Sequence, residues 1–264
     1  MFTPVPFTHA QAAPFLNALR ARTPIVHCIT NDVVQAFTAN VLLAVGASPA
    51  MIVAEEEAAG FAAVADAVSL NVGTVQRMTA RSMILAASSA SKYGKPWVLD
   101  PVAVGILPYR AGVAAELLTH RPTAIRGNPS EILALAGKSS TAKGPDSRDT
   151  VADAREAAEE VARRYKCIVA MTGESDCITN GMETYTVHGG HANLTRVTGT
   201  GCALSAVVAA CISCGKHDSL AATAAACLLM KTAGEKAGVH AGLGSFAVAL
   251  LDALSLLTGE TLQG

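Results

Sequence analysis

Short apolar runs alternate along this chain with longer segments whose apolar positions recur at helical spacing. The runs predict strands over residues 25–29, 50–53, 68–72, 97–99, 124–125 and 168–171. The longer segments predict helices over residues 33–45, 55–67, 79–93, 109–120 and 151–165. Strands separated by helices indicate βαβ units and a mostly parallel sheet. Because the strands are apolar throughout, the pattern also predicts helices on both faces of that sheet.

The pattern changes near residue 176. Two short segments, 176–180 and 183–187, are joined by Asn180-Gly181, a pair that favours a tight hairpin, so an antiparallel extension of the sheet is expected. Three helical segments follow at 202–214, 219–236 and 246–257. Residues 137–150 are rich in Ser, Gly, Lys and Asp and predict an exposed loop. We therefore expect one α/β domain that spans residues 1–264, a length that a single large domain can have.

The charge balance narrows the possible partners. The formal net charge is −1, and no basic stretch occurs, whereas a nucleic-acid binder normally carries clustered Lys and Arg. Mean hydropathy is +0.36, yet the most apolar stretches, 202–214 and 246–257, are shorter than the ~18–20 residues of a membrane span. The first positive residue is Arg20, so no secretory signal is expected. We predict a protein that binds neither nucleic acid nor a membrane.

The cysteines predict a reducing environment. Seven of them, an odd number, are scattered through apolar contexts, at positions 28, 167, 177, 202, 211, 214 and 227. A secreted disulfide framework is denser and even in number, so free thiols in the cytoplasm are expected. Cys211 and Cys214 have the spacing of a redox or metal motif, but no second pair accompanies them. Their Ala-rich helical surroundings favour a buried structural role.

Polar residues follow several of the predicted strands. Ligands of parallel α/β sheets bind at the carboxyl ends of the strands. Asp100 follows the strand at 97–99, Arg126 ends the strand at 124–125, and Thr172 follows the strand at 168–171. A carboxylate, a cation and a hydroxyl are therefore expected at the same edge of the sheet.

Glu131 lies in the first turn of a helix that begins after Arg126. Asn128 or Ser130 is expected to cap this helix. An acidic residue there either complements the helix dipole or takes part in a site. The residues alone leave both roles open.

A glycine-rich turn, V-T-G-T-G-C-A-L-S at 197–205, leads directly into a helix of small residues. Exposed N–H groups and the positive end of the helix dipole predict an anion site suited to phosphate. The alternative is a tight turn without a ligand.

Three other segments resemble known binding motifs but lack residues that those motifs require. Gly137-Lys138-Ser139 resembles the end of a P-loop, but Ile132 stands where that motif needs a glycine. Leu204 stands where a dinucleotide fingerprint that starts at Gly199 needs its third glycine or alanine. His188 and His191 flank a Gly-Gly turn without further ligands, which favours a surface loop over a metal site.

The order of these segments resembles the ribokinase-like superfamily and, within it, the hydroxyethylthiazole kinase family. The resemblance covers nearly the whole chain. It rests on T-N-D-V-V-Q-A-F-T-A-N (30–40), G-A-S-P-A-M (46–51), D-P-V-A-V-G (100–105), I-R-G-N-P-S-E-I (125–132), T-G-E (172–174) and G-T-G-C-A-L-S-A-V-V-A-A (199–210). It implies a ribokinase-like fold and phosphorylation by ATP, with Mg²⁺, of the alcohol of 4-methyl-5-(2-hydroxyethyl)thiazole in thiamine biosynthesis or salvage. It also implies a homotrimer with sites between subunits.

The resemblance further implies a role for individual residues. Met51 is expected to contact the thiazole, which Asn31 is also expected to help hold. Arg126 and Thr172 are expected to contact ATP. Gly199 is expected where the substrate meets the anion hole. Thr200 and Gly201 are expected to form the anion hole together with Gly199. Asp100 and Glu131 are expected to support the binding of Mg²⁺.

Cys202 occupies the position after the turn where related kinases, such as those acting on a pyrimidine alcohol, usually carry Asp. A thiol has a reference pKa of ~8.5, which a helix N-terminus lowers and a neighbouring phosphate charge raises. We therefore expect Cys202 to be a catalytic residue that positions the alcohol rather than an effective base. The alternative is that it only packs against the turn.

Three alternative functions remain open from the residues. They are another ribokinase-like kinase of a small alcohol, a nucleotide-dependent dehydratase on the same fold, and a non-catalytic regulator that keeps the pocket. Cys202 and the segment around Met51 favour the thiazole kinase.

Overall fold

A nine-stranded sheet forms the centre of the molecule. The computed structural model describes residues 3–138, 148–215, 217–239 and 242–263. The strands are β1 (Val5–Pro6), β2 (Ile25–Ile29), β3 (Ser48–Ala50), β4 (Ala67–Asn71), β5 (Trp97–Asp100), β6 (Ala124–Gly127), β7 (Ile168–Met171), β8 (Asp176–Thr179) and β9 (Thr184–Val187). Their order across the sheet is β1-β9-β8-β7-β6-β5-β4-β2-β3.

The sheet is parallel from β3 to β7 and antiparallel where β8 and β9 extend it. The hairpin forms where Asn180-Gly181 predicts it. Gly181 has a φ of +85°, and Oδ1 of Asn180 accepts hydrogen bonds from the N–H groups of Met182 and Glu183. The predicted parallel sheet with an antiparallel extension is confirmed.

Helices cover both faces of the sheet, as the apolar strands predict. They are α1 (His9–Arg22), α2 (Gln35–Val45), α3 (Glu55–Val64), α4 (Arg77–Lys92), α5 (Pro108–Leu118), α6 (Pro129–Leu135), α7 (Arg148–Tyr165), α8 (Thr200–Cys214), α9 (Ser219–Ala237), α10 (Leu243–Leu256) and α11 (Gly259–Gln263). One face packs against α1, α2, α8, α9 and α10, and the other packs against α3 to α7.

Strand β7 shows why the strand sequences are apolar without interruption. Ile168 and Ala170 belong to the core beneath α8 and α9, whereas Val169 and Met171 belong to the core beneath α3 to α7. Successive side chains of a strand point to opposite faces. Both sets are therefore buried, and no position on the strand is left for a polar residue.

The predicted strand at 50–53 is wrong, because β3 ends at Ala50. Its Cα partners on β2 run only from Ile25 to His27. Beyond that point the ring Nε2 of His27 lies 2.7 Å from the carbonyl oxygen of Ile52, so a side chain replaces the next sheet partner. The predicted helix at 55–67 also ends early, at Val64, because β4 begins at Ala67.

Two further regions depart from the sequence pattern. The apolar pattern predicts no strand or helix within residues 1–24, whereas the structure has β1 and α1 there. A capping box between Thr8 and Gln11 begins α1. Much of the predicted loop at 137–150, including Ser139, lies outside the described residues, and α7 already begins at Arg148.

The most apolar helices lie inside the protein. All side chains of α8 from Ala203 to Ser213 are buried, as are nearly all those of α9. Among the helices of the described ranges, none combines the length and the apolar character that crossing a membrane requires. All seven cysteines are free, and Cys211 is buried within α8.

Candidate active site

The strand order places a crevice between β2 and β4. From β2 the chain passes to β3 on one side, whereas β4 to β7 continue on the other side. In parallel α/β sheets, ligands bind outside the carboxyl ends of the strands at this reversal of order. Asn31 follows β2, and Asn71 ends β4, so two side-chain amides border the crevice.

Asp100 lies at the carboxyl end of β5 and is completely buried. Its Oδ2 accepts hydrogen bonds from Nδ2 of Asn71 at 2.7 Å and from Oγ of Ser205 at 2.8 Å, and Nη1 of Arg126 is 4.0 Å away. Its Oδ1 is buried and has no hydrogen-bond partner among the described residues. Burial raises the pKa of this carboxyl despite the opposing effect of Arg126 and the two hydrogen bonds.

A hydrogen-bonded chain connects Asp100 to Cys202. Oδ1 of Asn71 accepts from the N–H of Gly73 at 2.9 Å and from Nδ2 of Asn31 at 3.0 Å, which fixes the amide so that its Nδ2 faces Asp100. Nδ2 of Asn31 also contacts Sγ of Cys202 at 3.4 Å. We call the residues Ser205, Asp100, Asn71, Asn31 and Cys202 the polar chain.

The environment of Cys202 favours the thiol form. Burial raises the pKa of Cys202, and the nearby carboxyl of Asp100 raises it further. The hydrogen bonds from the asparagines and the charge of Arg126 oppose this shift without reversing it. A protonated thiol can hold a hydroxyl in place, but it cannot accept that hydroxyl's proton.

Residues 199–201, which we call the anion turn, lie at the start of α8. Gly199 has a φ of +96°, a conformation that glycine adopts most readily, and no side-chain hydrogen bond caps the helix. The Thr200 hydroxyl donates to the carbonyl of Leu194 and so fixes the turn. The N–H groups of the first helical turn are therefore available to a phosphate, which the helix dipole also favours.

Arg126 lies directly against the anion turn. A Cβ at Gly201 would be 2.6 Å from Nη1 of Arg126, so only glycine permits this approach. Nη2 of Arg126 donates to Oγ1 of Thr172 at 2.6 Å. Strands β5, β6 and β7 and helix α8 thus bring Asp100, Arg126, Thr172 and Gly201 together.

Glu131 forms the capping box of α6 with Asn128. Its Oε2 accepts from the N–H of Asn128 at 2.8 Å, and Oδ1 of Asn128 accepts from the N–H of Glu131 at 2.9 Å. Its Oε1 accepts from the N–H of Ala103 at 3.1 Å. Asn128, rather than Ser130, is therefore the cap. Burial raises the pKa of Glu131, and the charge of Asp100 adds to that effect.

The two carboxylates differ in how they fit a metal ion. Asp100 has a buried oxygen without a partner, which suits a ligand of Mg²⁺. Both oxygens of Glu131 already accept backbone hydrogen bonds, so it fits a metal-bound water better than the metal itself. Across the described ranges, His, Cys, Asp and Glu do not form a group of three or more that could hold a metal. Mg²⁺ keeps several waters and needs only one or two carboxylates, so this arrangement fits it.

Met51 lies at the carboxyl end of the edge strand β3. Its half-buried side chain packs against the core beneath α8. The sequence prediction missed Asn71 and Ser205. The position of Asn71 at the end of a predicted strand was the available signal, whereas Ser205 becomes visible only once α8 lies over β5.

The architecture first defines a class. A ribokinase-like superfamily protein from Enterococcus faecalis matches this fold with a TM-score of 0.65, over 96% of this chain and 97% of that chain. The identity is 9%, so this likeness concerns the fold alone. The protein has the ribokinase-like α/β fold, with its candidate site at the carboxyl edge of the sheet.

The sequence then defines the family. The model of the hydroxyethylthiazole kinase family matches residues 16–260, and the chain belongs to that family. It is 57% identical over 246 residues to a hydroxyethylthiazole kinase of Cronobacter sakazakii, which covers 93% of this chain and 92% of that protein. The structure of a hydroxyethylthiazole kinase protein from Pyrococcus horikoshii matches with a TM-score of 0.88 and 38% identity, over 96% of this chain and 95% of that chain.

Proposed function

We propose that this protein transfers the γ-phosphoryl group of ATP to the hydroxyl of 4-methyl-5-(2-hydroxyethyl)thiazole, which yields the thiazole phosphate and ADP for thiamine biosynthesis. The observation that carries the proposal is the anion turn. Among the described residues, no side chain caps the first turn of α8, and the Arg126 guanidinium lies against Gly201. Phosphoryl transfer depends mainly on positioning and on stabilising charge, and this turn offers both.

The residues around the anion turn divide the work of the reaction. Arg126, held by Thr172, neutralises phosphate oxygens of ATP. The N–H groups of residues 199–201 donate hydrogen bonds to the phosphoryl group while it is transferred, and Gly199 also contacts the alcohol. Cys202 positions the alcohol and does not remove its proton, because its pKa is raised. A loose transition state needs little help from a base.

The acceptor is held by Met51 in this proposal. A thioether offers a polarizable apolar surface to a flat sulfur heterocycle. Met51 follows β3 at the edge of the sheet. The family resemblance supports a homotrimer in which Met51 of one subunit serves the anion turn of its neighbour.

Mg²⁺ supports the reaction by neutralising charge on the phosphates of ATP. Asp100 would hold it through Oδ1, which is buried and has no hydrogen-bond partner among the described residues, and Glu131 would act through a metal-bound water. Asp100→Ala and Glu131→Ala should each weaken the dependence of the rate on Mg²⁺. This weakening should be larger for Asp100→Ala. If both variants titrate with Mg²⁺ as the wild type does, Glu131 is a capping residue only and Asp100 is structural.

We further propose that the chain acts as one kinase domain, residues 1–264, in the cytoplasm. One continuous sheet includes every described strand, which supports a single domain. Seven free thiols, five of them buried, suit a reducing compartment.

The decisive experiment measures ADP release with and without the thiazole alcohol. The wild type should release ADP with the alcohol and yield the thiazole phosphate, identified by its mass. A pyrimidine alcohol tests the alternative kinase, and an assay for ATP-dependent dehydration tests the alternative dehydratase. Light scattering determines the number of subunits. Faster turnover of the pyrimidine alcohol, dehydration activity, or binding of the thiazole without turnover would contradict the proposal.

A further inference from the structure

One lysine, Lys231, lies within the buried part of α9. Lys231 is the only charged residue between positions 219 and 234, and it is 7% exposed. A buried ammonium group is costly unless hydrogen bonds satisfy it. Its contacts therefore show what the charge is used for.

The ammonium group of Lys231 holds two loops. Its Nζ donates to the carbonyl oxygens of Gly173 at 3.0 Å and Glu174 at 2.9 Å, in the loop after β7. It also donates to the carbonyl of Gly189 at 3.2 Å, in the loop after β9. Asp176, which is equally buried, places its Oδ1 3.4 Å from Nζ and accepts the N–H of Gly173 at 2.9 Å.

Helix α9 fixes the second loop at another point. One turn after Lys231, Oε1 of Glu235 accepts the N–H of Gly190 at 2.9 Å. The loop after β9 leads through a short 3₁₀ helix, Ala192–Thr195, to the anion turn. The carbonyl of Leu194 in that helix accepts the Thr200 hydroxyl. A single helix thus anchors the chain that approaches the anion turn.

The first loop leads directly to the residues proposed to bind ATP. Gly173 follows Thr172, whose N–H donates to the carbonyl of Gly127 at 2.9 Å and whose hydroxyl accepts from Arg126. Arg126 in turn lies against Gly201. The carbonyls that Lys231 holds thus lie one and two residues after the hydroxyl that holds the guanidinium.

Stability alone does not account for a buried ion pair. Replacing such a pair by apolar residues of similar volume is often neutral or stabilising, because desolvation offsets the attraction. What an apolar residue cannot do is donate three hydrogen bonds to carbonyls of two separate loops.

We propose that Lys231 is a positioning residue for the nucleotide, which fixes the loops at 172–176 and 188–190 so that Thr172 and Arg126 face the phosphates. This role rests on the proposed kinase function. In this role Lys231 acts through the backbone carbonyls of the two loops.

The test compares Lys231→Met with the double variant Lys231→Met/Asp176→Asn. The single variant should raise KM for ATP at least about tenfold, which corresponds to the loss of one hydrogen bond to a charged group, and should change KM for the thiazole alcohol much less. The double variant removes the unpaired carboxylate and should regain thermal stability while KM for ATP stays raised. Lys236→Met, at an exposed position five residues further along α9, is the matched control and should behave as the wild type.

Hydrogen exchange in the nucleotide-free protein provides a readout independent of activity. The amides of residues 173–176 and 189–190 should exchange faster in Lys231→Met and in the double variant, but not in Lys236→Met. If the double variant regains the wild-type KM for ATP, Lys231 serves only to compensate Asp176, and the positioning role is wrong. Unchanged exchange in Lys231→Met would also overturn it. If hydrogen exchange differs between the variants and the wild type as expected, but the wild type forms no thiazole phosphate, the proposed function is wrong instead.

Discussion

Asn71 donates a hydrogen bond of 2.7 Å to Asp100, and the two residues are Cα partners at the carboxyl ends of β4 and β5. The other end of the same amide accepts from Asn31, which contacts Cys202. Because each end of the amide has a fixed partner, Asn71 cannot rotate without breaking both contacts. The carboxylate proposed for Mg²⁺ and the residues proposed to hold the alcohol are thereby linked in one rigid unit.

Replacing Asn71 by Ala should impair both ends of this unit. Asp100 loses one of its two donors, and Asn31 loses the acceptor that orients it. Hydrogen bonds to a charged group contribute about 1.5–3 kcal/mol, so kcat should fall at least about tenfold. KM for the thiazole alcohol should rise as well. Ser205→Ala is the control, because it removes the other donor to Asp100 but leaves Asn31 in place. An equal rise of KM for the alcohol in both variants would refute the link.

Gly201→Ala should remove activity and leave the fold intact. The new Cβ would be 2.6 Å from Nη1 of Arg126, and the guanidinium, at the end of a flexible side chain, must move away from the anion turn. Losing such a charge-stabilising group typically lowers kcat by about 10²–10³-fold. Gly60→Ala on α3 is the control, since its added Cβ would meet no described residue within 4 Å apart from its chain neighbours and the adjacent backbone of its own helix. Circular dichroism checks the fold, and near-normal turnover of Gly201→Ala would contradict the assignment of the turn.

Cys202→Ala should cause only a modest loss of turnover, well below the ~10²–10⁴-fold effect of removing a general base. Burial and Asp100 raise the pKa of the thiol, so the proposed reaction does not rely on a thiolate. Cys202→Asp should remain active. The measurement is kcat of both variants at saturating alcohol and ATP with Mg²⁺. A collapse of both to background would show that the thiol performs indispensable chemistry.

Without nucleotide, the stability of Asp100→Asn relative to that of the wild type should increase as pH rises. The same substitution should lower activity. Burial raises the pKa of Asp100 in the folded protein above its unfolded value of about 3.9. The folded state then binds the proton more tightly, so this group's contribution to stability is greatest below the unfolded pKa and declines as pH rises towards the folded pKa.

Thermal unfolding without Mg²⁺ between about pH 4 and pH 8 tests this prediction. The unfolding temperature of Asp100→Asn should rise relative to that of the wild type as pH increases across that range. Asp252→Asn, at an exposed position on α10, is the control. A variant that becomes relatively less stable with rising pH would contradict the sign.

The fold was largely predictable because both faces of the sheet are covered. The resulting apolar runs mark most of the strands that are flanked by helices, and Asn180-Gly181 marks the hairpin. The strand predicted at 50–53 failed because the apolar residues after Ala50 are not paired in the sheet. There the His27 ring meets the Ile52 carbonyl instead. Apolar character alone does not reveal where a neighbouring strand ends.

The candidate site was predictable only where residues follow strands or lie in the glycine turn. Asp100, Arg126, Thr172 and Gly201 were found in this way, and the structure brings them together. Lys231 was not found, because its contacts join α9 to loops 42–58 positions earlier in the chain. A charge that follows twelve uncharged residues of a helix was the signal, but only the tertiary structure shows which carbonyls it meets.

The burial of α8 has a consequence for how the family can diversify. Every side chain from Ala203 to Ser213 is buried, so almost any enlargement there disturbs the core that holds the anion turn. Residues 48–53, by contrast, are only half-buried, at the edge of the sheet. Within one subunit, the start of α8, which is proposed to handle phosphate, therefore tolerates little change, whereas the segment around Met51, which is proposed to hold the alcohol, is less constrained by its own core. Where a neighbouring subunit does not cover that segment, acceptor choice can change while the proposed phosphate site stays the same.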